Sequence, residues 1–233
     1  MVRQGENRGN YDSIKFTLFA TGSFQYSFFM NDSPPPEPLN GEEMTRQDVL
    51  KSILMVHGLM LLLAIAILWF REVPVWEQFD SPLPWATQLA YGMGIGLVSS
   101  LLGVLVGNRW KLLQKVGEIV DFLLRVLRPN LALLVGISLI AGIVEELLFR
   151  AALQPVVGIW WAAFAFMLAH GFAPVRLHVM LVYLSIIFLA GVWLGIAYEN
   201  LGLLCVITLH TVHNSVVFAF ALRAYRSKET ETP

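Results

Sequence analysis

Asn130–Gln154 reads NLALLVGISLIAGIVEELLFRAALQ. Leu131 to Val144 carries no charge, and then Glu145, Glu146 and Arg150 arrive within six positions. A membrane-crossing helix needs about 20 predominantly apolar residues, and this run supplies them. A charged side chain at the centre of such a helix costs about 2.5–3.5 kcal/mol on insertion scales, so three of them call for a role. The stretch points to membrane helices, one of which carries a polar site.

The rest of the chain agrees. Of 233 residues, 56% are apolar and 14% charged, and the mean hydropathy is +0.63. Soluble domains carry roughly 25% charged residues, so this composition argues against a soluble enzyme and against disorder. With 16 basic and 17 acidic residues, no net field draws nucleic acid, and none is expected as a partner. The single cysteine, Cys205, excludes an intramolecular disulfide and reads as a small buried hydrophobe.

Further uncharged runs lie at Ser52–Phe70, Pro84–Gly107, Gly158–His170, His178–Tyr198 and Leu201–Leu222. Arg109–Arg128 spaces five basic residues among Leu, Val and Phe and reads as an interfacial amphipathic helix. The expected fold class is all-α: a polytopic transmembrane helical bundle of about six spans plus that helix. Residues 1–51 read as a flexible segment, with the proline-rich stretch NDSPPPEPLNGEE at Asn31–Glu43. They lack the compact apolar centre of a signal peptide, and Met30 offers an alternative start. The membrane domain is expected over 52–223, and a charged tail over 224–233. No Lys or Arg occurs between Glu72 and Asn108, whereas five occur between Arg109 and Arg128. The bias of basic residues towards cytoplasmic loops puts both termini in the cytoplasm.

Helical spacing sorts the polar groups. Glu146 and Arg150 are four apart and can pair on one face. Glu145 is rotated by about 100° and faces elsewhere. His210 and Asn214 share a face, as do Phe166 and His170. Counting at 1.5 Å per residue from the turns near Gln154–Gly158 and Asn200, Glu145 and His210 lie about 14 Å deep and His170 about 18 Å. Three helices thus deliver Glu145, His170, His210 and Asn214 to one level near mid-membrane. Each has a structural alternative: an ion pair, a helix–helix hydrogen bond, an interhelical amide. His57 and His178 read as interfacial, and His213 as a packing or hydrogen-bonding residue.

Glu145-Glu146-Leu-Leu-Phe-Arg150 resembles the EExxxR motif of the CAAX-protease and bacteriocin-processing (Abi) family. Phe166-Met-Leu-Ala-His170 resembles its FxxxH motif, and His210-Thr-Val-His-Asn214 its HxxxN motif. The resemblance covers roughly 130–222. It implies an intramembrane glutamate-type endopeptidase acting on a membrane-associated or lipidated protein or peptide, without a cofactor. Eukaryotic members remove the last three residues of prenylated CAAX proteins. The resemblance further implies that Glu145 and His170 activate water, that His210 and Asn214 stabilise the oxyanion, and that Glu146, Arg150 and Phe166 shape the site.

The residues suit that chemistry. Peptide hydrolysis needs a base for water, an acid for the leaving amine and donors for the oxyanion. No Ser–His or Cys–His pair of nucleophile spacing is evident. Two other classes stay open. One is a zinc hydrolase using Glu145, His170 and His210, although the HExxH spacing is absent. The other is a non-proteolytic scaffold, immunity-type protein or proton-coupled carrier.

Overall fold

The computed structural model describes residues 45–171 and 177–231. Most of the N-terminal segment expected to be flexible, and the last two residues of the charged tail, lie outside them. Among the described residues there is no β-strand, and the elements are helices. They are α1 (Arg46–Phe70), a 3₁₀ turn (Val75–Phe79), α2 (Trp85–Arg109) and α3 (Lys111–Leu127). Then come α4 (Leu131–Glu146), a π-helical segment (Leu147–Leu153), α5 (Gln154–Ala169), α6 (Leu177–Leu201) and α7 (Leu203–Glu231).

Five helical stretches are long and apolar enough to cross a membrane; the third, Leu131–Ala169, has 39 residues. It is not straight. Gly158 sits at φ 80°, ψ 167°, a conformation that glycine adopts at little cost and an L side chain does not. Phe149, nine residues before Gly158, and Phe166, eight after it, meet edge-to-face with ring centroids 5.2 Å apart. The chain therefore doubles back at Gly158, and one long apolar stretch supplies two arms of the bundle. The all-α polytopic class holds, with five candidate spans by length and a folded third.

The helix ends show why they fall where they do. Thr45 accepts from the Asp48 amide (3.3 Å), and Asp48 Oδ2 accepts from the Thr45 amide (3.1 Å). This reciprocal capping box starts α1 at Arg46, six residues before the uncharged run that begins at Ser52. Asn130 caps α4 by accepting from the Leu133 amide at 2.8 Å. Gly202, at φ 87°, makes the turn between α6 and α7. In α3, Leu124 and Leu127 are fully buried, while Lys111, Lys115 and Arg125 are exposed. That is the amphipathic pattern expected.

Pro155, at the start of α5, has no N–H to give a carbonyl one turn earlier. Arg71, at the end of α1, supplies the donor instead. Its Nη1 donates to the carbonyls of Ala151 (2.8 Å) and Ala152 (3.2 Å). This end of the bundle also holds exposed Trp69, Trp76, Trp85, Trp160 and Trp161. Such a set of amphipathic rings fits the membrane–water interface.

α7 packs on α2 and α4. Gln88, Gly92, Gly96 and Ser100 recur every four residues on α2, and all are buried. A Cβ on Gly92 would stand 2.5 Å from the Cys205 carbonyl oxygen, and one on Gly96 would stand 2.7 Å from that of Leu209. The two backbones are in direct contact, as small residues allow in membrane bundles. Gly96→Val is therefore expected to destabilise the fold by about 1–3 kcal/mol or more. Gly94→Val, which meets nothing within 4 Å, should be near neutral. Melting of both variants in detergent checks this, and equal melting would refute the packing argument.

Candidate active site

The polar groups lie where α4, the π-segment, α5 and α7 meet. Glu146 and Arg150 are both fully buried, with Arg150 Nε 3.1 Å from Glu146 Oε2. The expected i,i+4 pair is present across the junction from α-helix to π-helix. The other oxygen of Glu146, Oε1, lies 2.7 Å from His210 Nδ1. The Arg150 guanidinium carbon sits 4.8 Å from the centre of the Phe166 ring, a cation–π contact out of water. Arg150 Nη1 and Nη2 are buried and have no hydrogen-bond acceptor among the described residues. Phe166 also lies 4.5 Å from the His170 ring and 6.2 Å from the His210 ring, centre to centre. It is the apolar floor on which both imidazoles and the guanidinium rest.

Glu145 faces away from that pair, as its rotation on the helix predicts. Its Oε2 lies 3.9 Å from His170 Nε2 and 4.0 Å from His210 Nε2. His170 Nδ1 donates to the Phe166 carbonyl at 2.9 Å, so in the neutral ring Nε2 is the bare nitrogen. The same holds for His210, whose Nδ1 is taken by Glu146. Hydrogen bonds on Nδ1 fix which nitrogen of each ring faces Glu145. The His170 side chain, 26% exposed, is the most accessible of the three. A gap of 3.9–4.0 Å is too long for a direct hydrogen bond and has room for a bridging water. Among the described residues, no group of three or more His, Cys, Asp or Glu has the geometry to hold a metal ion.

The structure brings Glu145, Glu146, Arg150, Phe166, His170 and His210 together. Asn214 is half-buried one turn beyond His210 on α7, and takes no part in these pairs. His213 pairs with Ser99 Oγ at 2.9 Å, in keeping with a hydrogen-bonding role. His178 is exposed at the start of α6. His57 differs from its interfacial reading. Its Nε2 lies 3.4 Å from Glu145 Oε1. Because α1 begins at Arg46, His57 is eleven residues into the helix, about 16 Å from its end.

Residues 127–216 match the protein family described as type II CAAX prenyl endopeptidase Rce1-like. These residues form a CAAX-protease family domain. All three motifs fall inside the matched segment, while α1, α2 and nearly all of α3 precede it. No curated protein and no solved structure matches the chain. With the CAAX-protease domain carried on helices of membrane-crossing length, the chain is a multi-pass membrane protein.

Proposed function

We propose that this CAAX-protease domain is an intramembrane endopeptidase of the glutamate type, cleaving a lipidated or membrane-associated protein or peptide. The observation that carries this reading is the convergence of His170 Nε2 and His210 Nε2 on one oxygen of Glu145, at 3.9 and 4.0 Å. A water held between Glu145 Oε2 and His170 Nε2 has acceptors for both of its protons. Glu145 takes one proton as the water oxygen bonds to the scissile carbonyl carbon. His210, as the imidazolium held by Glu146, donates from Nε2 to the oxyanion, and the Asn214 amide is the second donor. When the C–N bond breaks, the proton from water passes to the leaving amine.

The test is cleavage of a library of lipidated and plain membrane peptides by the purified protein, with Glu145→Ala as control. Cleavage that depends on Glu145 and persists in chelator supports the reading. Activity lost to chelator and restored by zinc would place Glu145, His170 and His210 in a metal shell and overturn it. A Glu145→Ala chain that keeps its cellular function would favour a non-proteolytic scaffold.

We also infer that both termini are cytoplasmic. Arg71, the tryptophan-rich end and the turns at Gly158 and Gly202 then share the opposite face. A reporter fused after Asp80 should be external, and one after Arg128 internal. The reverse pattern at both sites would refute this orientation.

A further inference from the structure

His57 lies outside the segment that matches the family, yet it reaches the carboxylate on which the proposed mechanism turns. Its Nδ1 donates to the Ile53 carbonyl at 2.7 Å. That bond leaves Nε2 as the nitrogen facing Glu145 Oε1 at 3.4 Å. Nε2 is buried from water and has no hydrogen-bond partner in its present rotamer. A bare imidazole nitrogen and an ionised carboxylate are both acceptors. Held this close and away from solvent, they are stable only with a proton between them. The two oxygens of Glu145 are thus divided: Oε1 faces His57 on α1, and Oε2 faces His170 and His210.

We propose that His57 is a positioning residue of the active site, which holds Glu145 Oε1 through a shared proton and so presents Oε2 to water. The inference rests on the endopeptidase reading for its catalytic consequence, but the contact itself does not. It makes α1 part of the catalytic apparatus rather than a lipid-facing cover.

Two isosteres separate the ring's two bonds. Asn places its amide nitrogen where Nδ1 stands, so His57→Asn keeps the Ile53 bond and cannot reach Glu145. Gln places its amide nitrogen where Nε2 stands, so His57→Gln keeps a donor to Oε1. In peptide cleavage, His57→Asn is expected to lower kcat about 10–100-fold with KM unchanged, the effect of a misplaced base. His57→Gln is expected to recover most of that loss. Parent-like kcat in His57→Asn, a change confined to KM, or equal loss in both variants would overturn the proposal.

The second arm needs no substrate. In lipid nanodiscs, the fall in melting temperature caused by His57→Asn should shrink by at least half in a Glu145→Ala background, because the partner carboxylate is already gone. Equal falls in both backgrounds would overturn the contact. If the parent cleaves no peptide while the melting shifts are non-additive, the endopeptidase reading fails and the His57–Glu145 pairing stands.

Discussion

Glu145→Gln is expected to melt like the parent and to lose cleavage by about 10²–10⁴-fold, the contribution of a positioned acid–base group. The amide keeps the size of the carboxylate and can still bond to His57, but it cannot accept a proton from water. His170→Ala should fall as far, because the two groups act on one water and their effects do not add. Asn214→Ala removes one oxyanion donor and should cost about 10²–10³-fold with binding retained. His213→Ala, whose ring pairs with Ser99 rather than Glu145, should keep the parent rate. Single-turnover cleavage measures all four. Glu145→Gln turning over at the parent rate would end the glutamate-base mechanism.

Arg150→Met should cost about 3–5 kcal/mol of stability, enough to deplete folded protein. Glu146 and Arg150 are both fully buried. Removing the guanidinium leaves a carboxylate out of water with only His210 Nδ1 beside it. It also empties the space over the Phe166 ring. The double variant Arg150→Met, Glu146→Leu should recover part of the loss, since no unpaired charge remains. Denaturant or thermal melting in detergent checks the order single below double below parent. An Arg150→Met protein that melts like the parent would show that the pair carries no structural weight.

Much of the site could be read before any coordinates. The Glu146–Arg150 pair and the outward turn of Glu145 follow from helical spacing. The turn of Glu145 away from Glu146 holds because α4 stays α-helical through Glu146, and the pair still forms although Arg150 lies in the π-segment. Counting depth from the two turns placed Glu145, His170, His210 and Asn214 at one level; the turns fall at Gly158 and Gly202, the second of them two residues beyond Asn200, and Asn214 stands outside the pairs that the other three make. His57 escaped because charge was allowed to set the start of α1. Arg46, Asp48 and Lys51 made the first turn look like loop. The Thr45–Asp48 capping box was the signal that the helix had already begun. The π-segment has no comparable signature. It shifts backbone hydrogen bonds by one residue, and only Pro155 hints that a carbonyl upstream lacks its donor. The glycine richness of α2 was visible, but which glycines touch α7 depends on how the two helices meet.

The Arg71 bonds to Ala151 and Ala152 bear on how small a working piece of this protein can be. Sequence likeness begins at residue 127. A fragment cut there would leave those two carbonyls without the guanidinium that serves them, and Glu145 Oε1 without its imidazole. α1 fastens the hairpin arm at two points, His57 and Arg71, fourteen residues or about 21 Å apart along its axis. Among the described residues, the piece that keeps these bonds starts with α1 and its Thr45 cap, and an excised family-like segment needs α1 returned to it, on the same chain or as a separate peptide, before any cleavage measured on it says anything about the whole.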